Sequence, residues 1–502
     1  MNPWASGVRN ERGVALPLAL FALVSLTAFV LTFVSMGGME PQVSRNLKDS
    51  SQARYSAEAG LESAFDQLAN APGAGTGSWT NLLSQNAVTG SNPAAHWLTP
   101  VAGGNPVQQQ LPGLAATFGT YTVQVRNDSV ATDQPVTGAA PEIGVTNADN
   151  NGIVIVTATG THNGVTRTIQ VVMRRVSLPP LPGAYSVPGA QADIRFKNPN
   201  FSIDGRDYMY TCTANCNDPN PANRTYDYVV NPNQAKMKFA MAVQPGIQAN
   251  LNPATTYEQR AEYQLDNAQK QGNVMGKSQV GGGFTTGLDT VAAPANPSEV
   301  LNPAKMQSFL DQLASFSGTQ VIQSTIACAQ DISGYPVGLL MEGNAADPSK
   351  PTLKNNCGMN QTVDLGSRDN PKLVYFKGEL DPTSTFAGVV TDGQPIKGAG
   401  ILVVEDGDFR VWNKFDWDGI VIVTGRYVSS IFEKGGQATI NGATIANETV
   451  WDEYGTNLPM GGSHLWDGVF DSSNKTTLRH SQQMLDMVQR ALLFRMSTWR
   501  EI

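Results

Sequence analysis

The feature that most constrains this chain is a run of 23 consecutive uncharged residues from Val14 to Met36. As a helix, this run would be about 34 Å long, which is enough to cross the hydrocarbon core of a bilayer. It is also longer than the apolar core of a secretory signal peptide. Arg9 and Arg12 precede the run, and positive charge at that end favours a cytoplasmic N-terminus. We therefore expect a retained single-pass anchor.

The helix is expected to continue beyond the membrane. Gly37-Gly38 and Pro41 would loosen or kink it, but apolar positions then resume at spacings of three and four residues apart from one gap. A helix from Val14 to about Asn70 would be roughly 85 Å long, too long to be covered by one globular head. Part of it should pack against neighbouring copies or partners. The apolar positions are Val43, Leu47, Ala57, Leu61, Ala64, Phe65 and Leu68.

Three segments near the N-terminus resemble a known family. They are Arg12-Gly13, the Asn-Leu-Lys-Asp segment beginning at Asn46, and the Ala-Glu-Ala-Gly-Leu segment beginning at Ala57. Together they resemble the N-terminal region of PilX-type minor pilins, over about 70 residues. The resemblance implies cleavage by the prepilin peptidase between Gly13 and Val14, followed by methylation of the new N-terminus. It also implies other pilin-like subunits as partners of the helix.

The resemblance implies a bacterial inner-membrane protein, with its ectodomain in the periplasm or on a pilus at the cell surface. Major pilins carry a glutamate at the fifth residue of the mature chain, where this sequence has Leu18. In a filament that carboxylate is thought to neutralise a neighbour's amino terminus in a low-dielectric core. Leu18 therefore favours a tip or priming subunit over a bulk filament subunit.

Charge and size limit the function classes. A chain of 502 residues is too long for one ordinary core. Its net charge of −8, without a visible cluster of Lys and Arg, argues against a nucleic-acid partner. Only 15% of the residues are charged, while 49 Gly and 30 Pro favour short strands and turns. We predict an α+β protein with a long N-terminal transmembrane helix and a β-rich ectodomain of several parts.

The expected parts follow composition and periodicity. The stretch from about Ala71 to Pro112 is predicted to be an irregular loop or linker. A hairpin is predicted from Ile153 through the His162-Asn163-Gly164 turn to Met173. Two helices are predicted, one near Tyr257 to Lys270 and one from Pro303 to Phe316; the second has Met306, Phe309, Leu310 and Leu313 on one face. Strand patterns at steps of roughly ten residues, from Gly398 to Glu448, suggest a short β-solenoid or a sandwich. The predicted domains are a leader at 1–13, a transmembrane helix at 14–36, an amphipathic continuation at 37–70, a pilin-like head at 71–178, a mixed region with a Cys-containing insertion at 183–397, and a β-rich region with a C-terminal helix at 398–502.

Four cysteines, all downstream of the apolar run, suggest disulfides if this region is exported. Cys212–Cys216 and Cys328–Cys357 are the pairings with the shortest loops, although four cysteines allow three connectivities. A zinc site is the alternative, but Cys-x3-Cys without a nearby His matches zinc-ligand spacing poorly.

Other residues suggest chemistry only weakly. The segment Gly272–Ser278 resembles a phosphate loop but has one residue too few and follows a helical pattern. Acidic residues between Glu405 and Asp418 could bind Ca²⁺, although solvated turns explain them better. The four histidines are scattered, and His162 is expected to be solvated in its turn. We predict neither a cofactor nor an enzyme. The histidines are His96, His162, His464 and His480.

The sequence thus favours a structural role: a minor pilin-like subunit in type IV pilus assembly, at the filament tip or in a priming complex. Two alternatives stay open. The chain could be a type II secretion pseudopilin, which would share the leader and the helix. It could also be a surface adhesin or hydrolase with a pilin-like anchor, in which Trp412, Trp417 and Trp451 would form stacking platforms, although tryptophans in a β-rich region more often pack in a core.

Overall fold

The computed structural model describes most of the chain. The described residues are 15–69, 79–176, 178–189, 194–220, 223–245, 247–248, 255–256, 261–262, 264–277, 284–286, 291–292, 301, 303–315, 319–332, 334–379, 386–426, 428–449 and 467–502. The leader, Gly13, Val14, Trp451 and His464 lie outside them.

The helices in these segments are α1 Ala15–Ala69, α2 Thr80–Leu83, α3 Gln134–Thr137, α4 Ala268–Gly272, α5 Pro303–Ser315 and α6 Gln482–Ala491. The strands of the first half are β1 His96–Trp97, β2 Val101–Ala102, β3 Asn105–Pro106, β4 Gln109–Gln110, β5 Thr120–Asn127, β6 Ile153–His162, β7 Val165–Arg175, β8 Gly183–Val187, β9 Ile194–Phe196, β10 Phe201–Asp204, β11 Tyr208–Ala214, β12 Thr225–Val230, β13 Phe239–Val243, β14 Ile247–Gln248 and β15 Thr255–Thr256.

The strands of the second half are β16 Val274–Lys277, β17 Phe284–Thr286, β18 Val291–Ala292, β19 Gln320–Gln323, β20 Gln330–Ile332, β21 Tyr335–Gly343, β22 Thr352–Lys354, β23 Asn360–Thr362, β24 Gly366–Ser367, β25 Asn370–Lys377, β26 Ala387–Gly393, β27 Ile396–Glu405, β28 Phe409–Val411, β29 Lys414–Gly425, β30 Ser430–Lys434, β31 Gln437–Glu448, β32 Gly468–Ser472, β33 Thr476–His480 and β34 Phe494–Glu501.

The N-terminal helix α1 is one continuous element of 55 residues, about 82 Å long. It runs through Pro41 without ending. Its C-terminal half lies on an antiparallel sheet in the order β1-β5-β6-β7-β34, which we call the head sheet. The helix face against this sheet carries small and apolar residues at intervals of three and four, which is the helical period. The buried members are Ala53, Ala57, Leu61, Ala64 and Leu68.

A glycine in the head sheet lets the helix approach closely. A Cβ at Gly160 would overlap the backbone of the helix at Ala53 and Ala57. Gly160 lies in the first strand of the predicted hairpin, which consists of β6 and β7. The turn residues Asn163 and Gly164 both have positive φ, at 47° and 80°. An Asn-Gly turn of this kind matches the twist of two antiparallel strands. The predicted hairpin is therefore confirmed.

Most strands between β7 and β34 form two further sheets, whose central strands pair in parallel. Strands β11–β12 and β14–β15 form separate antiparallel pairs, and several strands near the sheet edges, such as β17 and β22, also pair antiparallel. The chain alternates between the two sheets from β25 to β33: odd-numbered strands pair with one another in sheet 1, and even-numbered strands pair in sheet 2. A large apolar core lies between the sheets and includes Phe409, Phe415 and Trp417. Helices α5 and α6 pack on the outer face of sheet 1. The predicted boundary at 397/398 falls inside β27, so the sheets continue across it.

The end of the chain differs from the prediction. A helix does occupy Gln482–Ala491, but the chain does not close with it. Residues Phe494–Glu501 form β34, which pairs antiparallel with β7 and completes the head sheet. The two-sheet region is therefore inserted between two neighbouring strands of the head.

The segment from Trp79 to Pro112 is not a plain linker, because Trp79 is buried in the head core and β1 pairs with β5. Of the helix expected from Tyr257 to Lys270, residues 257–260 and 263 lie outside the described residues, and α4 occupies Ala268–Gly272. The helix expected from Pro303 is present as α5, with its predicted apolar face buried.

Candidate functional site: the exposed half of the N-terminal helix

The first half of α1 carries a long apolar surface that the rest of the described chain does not cover. Every large apolar side chain from Leu16 to Met36 is between 52% and 76% exposed. By its length and composition, the helix could cross a membrane. Because lone apolar helices of this kind are unstable in water, the surface requires lipid or protein around it.

Both threonine hydroxyls in this segment are satisfied within the helix. The hydroxyl of Thr27 donates to the carbonyl of Leu23 at 2.6 Å, and that of Thr32 donates to the carbonyl of Ala28 at 2.8 Å. Inside a bilayer an unsatisfied hydroxyl would cost several kcal/mol. These bonds make the segment compatible with a hydrocarbon environment. Leu18, at the position where major pilins carry glutamate, is 65% exposed.

The expected amphipathic continuation is buried by the head only from Asp49 onward. Val43 and Leu47, two of the predicted apolar positions, are 55% and 64% exposed. The helix enters the head where Asn163 donates to the Asp49 carboxylate at 3.0 Å and the Nε2 atom of His162 lies 3.3 Å from the same carboxylate. His162 is therefore buried against the helix, and the expectation of a solvated side chain is wrong.

Beneath the helix, aromatic residues join distant parts of the chain. The Trp79 ring lies 5.8 Å from that of Phe494, which in turn stacks on Phe65 at 4.5 Å. The guanidinium of Arg175 lies 4.7 Å from the Trp79 ring and donates to the carbonyl of Leu68. Burial lowers the pKa of Arg175 to about 10, against the opposing charge of Asp149. These contacts fix the end of α1 to the end of β7 and the start of β34.

Asp149 connects the same core to the loop after β5. Its carboxylate accepts from the backbone N–H groups of Trp79 at 3.1 Å and Gly152 at 2.8 Å. Burial raises its pKa to about 6, because removal from water penalises the charged form more than these donors favour it. This carboxylate therefore fixes Trp79 in place at one end of the head.

Removal of the exposed segment tests how independent the head is. A chain beginning at Pro41 should keep the melting temperature of the whole protein within about 2 °C, because the lost residues contact nothing else that the structure describes. It should also stay in the aqueous phase without detergent. A matched chain beginning at Glu62 would lose Asp49, Ala53 and Ala57, and we expect its head to unfold. Equal melting of both truncations would contradict the packing described above.

The cysteines lie in two disulfides. Cys212 is joined to Cys216 at the tip of the β11–β12 hairpin, and Cys328 is joined to Cys357. These are the two short-loop pairs considered from the sequence. Within the described residues no free cysteine is left for a metal.

The β11–β12 hairpin is attached to sheet 1 through charged and aromatic groups. The hydroxyl of Tyr228 donates to Asp418 at 2.6 Å, and the Nε atom of Arg368 lies 2.7 Å from the other oxygen of this carboxylate. The Arg368 guanidinium also stacks 3.5 Å above the Tyr210 ring. Burial, and then the charge of Asp418, raise the pKa of Tyr228 above its usual range. Asp418 is thus an internal ion-pair partner.

Of the acidic residues between Glu405 and Asp418, Asp408 is buried and the other four are half-buried. Asp408 is fully buried, lies 3.2 Å from the guanidinium of Arg410 and accepts from the N–H of Ser429 at 2.9 Å. Burial, and then the charge of Glu405, raise the pKa of Asp406 to about 6. Among the described residues, no three Asp, Glu, His or Cys side chains form a group that could hold a metal ion. Arginine partners of Asp408 and Asp418, and lysine partners of Glu405 and Asp416, therefore explain this segment better than calcium does.

The other candidate residues are structural where they are described. Trp417 lies in the core between the sheets, and Trp412 is buried with its indole N–H donating to Glu433 at 2.7 Å. His480 is buried, and burial lowers its pKa. His96 is also buried, with its Nδ1 atom 2.9 Å from the carbonyl of Gln85.

The phosphate-loop lookalike does not have the required geometry. Gly276 and Lys277 lie in β16, which pairs with β10 and β17. A phosphate loop instead precedes a helix, whose N-terminus faces the phosphate. Ser278 lies outside the described residues.

Comparisons with known proteins give one structural match to report. No protein-family model and no curated protein sequence matches the chain. The crystal structure of the competence-associated pilin ComZ from Thermus thermophilus aligns over 90% of this chain and 97% of its own, with 14% sequence identity and a TM-score of 0.18. A TM-score this low does not establish a shared fold. The function is therefore inferred from the helix and the head.

Proposed function

We propose that this chain is a minor pilin-like structural subunit that takes part in type IV pilus assembly. One observation supports this above the others: an apolar helix segment that is more than half exposed leads directly into a head whose sheet packs on the same helix. A subunit of this shape can be stored in a membrane and later packed against other helices without refolding. The partners would be other pilin-like subunits, the prepilin peptidase and the inner membrane.

We place the subunit at the filament tip or in a priming complex. Leu18 cannot neutralise the amino terminus of a subunit above it, which suits a position that has no subunit above. The insertion between β7 and β34 is also far larger than the head, and a bulky insertion is accommodated most easily at an end of a filament. Cleavage between Gly13 and Val14 and methylation of Val14 belong to this proposal.

The insertion itself we propose to be a short β-solenoid. The regular alternation of β25 to β33 between two parallel sheets supports this architecture, since each pair of consecutive strands repeats the path of the pair before. This proposal includes the mixed region that begins near residue 183, because β9 and β10 pair with β32 and β33.

Isolation of sheared pili tests the assignment. We expect the chain in the pilus fraction at a low copy number relative to the major pilin, and in a detergent complex with other minor pilins. Its deletion should reduce piliation while protein secretion stays normal. The opposite result, with normal pili and lost secretion, would assign it to a type II secretion system. Normal pili, normal secretion and lost adhesion would favour an anchored adhesin.

A further inference from the structure

One loop of the head gathers oxygen atoms that the protein does not satisfy. The loop joins β5 to β6 and folds back on itself, with the N–H of Glu142 donating to the carbonyl of Asp128 at 2.9 Å and the N–H of Gly144 donating to that of Ser129 at 2.9 Å. These bonds bring the Asp128 and Glu142 segments together beside Asn127, the last residue of β5.

The charge of Asp128 lacks a cation. Its side chain is fully buried, and its carboxylate accepts from the amide of Asn151 at 3.0 and 3.2 Å. The charged neighbour that acts on it is Glu142, which has the same sign, and burial together with this neighbour raises the pKa of Asp128 to about 6. Buried charges in proteins are normally paired with an opposite charge or coordinated to a metal.

Two nearby cations have other partners. Arg126 forms a bidentate pair with Asp133 at 2.6 and 2.7 Å. Arg175 lies against Trp79 and is influenced by Asp149. Neither is among the groups that shift the pKa of Asp128. The loop therefore contains more negative charge than its own residues balance.

Two neutral oxygens on the residues that flank Asp128 also lack partners. Asn127 is fully buried and Ser129 is 3% exposed, yet among the described residues neither the Oδ1 atom of Asn127 nor the Oγ atom of Ser129 has a hydrogen-bond partner. The amide of Asn127 cannot be turned round, because its nitrogen donates to Glu142 and to the carbonyl of Val145, both at 2.8 Å. Both oxygens have lone pairs that the hydrogen of a water molecule or a metal ion would satisfy, and only a cation would also balance the charge of Asp128.

We propose that Asp128 and Glu142, together with Asn127 Oδ1 and Ser129 Oγ, bind a calcium ion in the head. No three acidic, His or Cys side chains converge in the described part of the chain, so the neutral oxygens must complete the ligand set. Calcium accepts six to eight oxygens, including amide, hydroxyl, carbonyl and water, in flexible geometry. Zinc prefers nitrogen and sulfur, and magnesium prefers a stricter octahedron that keeps several waters. Glu142 is only half-buried, which gives the ion a route in.

Thermal unfolding of the full chain in detergent tests the site. After treatment with EGTA, addition of about 2 mM CaCl2 should raise the melting temperature by at least about 3 °C, and the same concentration of MgCl2 should raise it much less. One calcium ion per chain should be retained after dialysis. An unchanged melting temperature, or an equal response to magnesium, would overturn the proposal.

The variant Asp128→Asn gives a second, directional result. In EGTA it should melt at or above the wild-type temperature, because an amide removes the unbalanced buried charge. In calcium the order should reverse, with the wild type above the variant. A purely structural carboxylate would keep the same order in both buffers, which would contradict the site. Glu142→Gln should behave similarly if Asp128→Asn does not fold, and the exposed Asp227→Asn should respond to calcium as the wild type does.

Discussion

Gly419→Ala is expected to lower the free energy of unfolding of the two-sheet region by about 4 kcal/mol. Gly419 has φ of 134°, a conformation that side chains rarely adopt, and a Cβ there would overlap the carbonyl oxygen of Gly400 on the neighbouring strand. Alanine would therefore strain the backbone and push β27 away from β29. Thermal unfolding followed by circular dichroism should show the loss as a lower transition temperature.

Gly435→Ala is the matched control. A Cβ at Gly435 would meet only the amide nitrogen of Asn474, at 3.9 Å, and its backbone φ is not in the positive range. We expect this change to alter the free energy of unfolding by less than about 0.5 kcal/mol. Equal stability of the two variants would contradict the close pairing of β27 with β29.

The same backbone conformation recurs along sheet 1. Gly400, Gly419 and Gly442 lie opposite one another in β27, β29 and β31, with φ of 125°, 134° and 146°. Each lies against the carbonyl of the preceding strand, where a side chain would not fit. A repeated conformation at equivalent positions is what a repeating architecture requires, so loss of stability at Gly419 would also support the proposed solenoid.

Phe494→Ala should lower the free energy of unfolding of the head by about 4 kcal/mol. The ring is 3% exposed and packs between Phe65 of the helix and Trp79. Its removal would leave a cavity where β34, α1 and Trp79 meet. Hydrogen exchange should show faster exchange in β7 and in the C-terminal half of α1.

Met496→Ala is the control for this strand. Met496 lies two residues further along β34 and is 36% exposed, so its truncation should cost less than about 1 kcal/mol. If Phe494→Ala were as mild as Met496→Ala, β34 would not be part of the head core. The pair of variants thus tests whether the end of the chain belongs to the head.

Local patterns were the part of the fold that the sequence predicted well. The Asn163-Gly164 turn and the apolar face of α5 depend on neighbouring residues, and the backbone preferences of those residues determine them. The apolar segment of α1 is equally local, because its length and lack of charge alone make it compatible with a membrane.

Long-range pairing was what the sequence could not predict. The partner of β34 lies more than 300 residues away in β7, and nothing in the pattern of Phe494 and Met496 indicates which strand they join. Partner residues of acids were missed for the same reason: Asp418 meets Arg368 and Tyr228 only after the sheets form. His162 was assigned to solvent because its burial depends on Asp49, which is distant in sequence.

The N-terminus of the protein extracted from membranes tests the central proposal most directly. Intact mass and N-terminal sequencing should be done on cells with and without the prepilin peptidase. The pilin assignment predicts a chain that begins at methylated Val14 when the peptidase is present, and at Met1 when it is absent. A chain that begins at Met1 in both strains, or one that is cut after Met36, would contradict it.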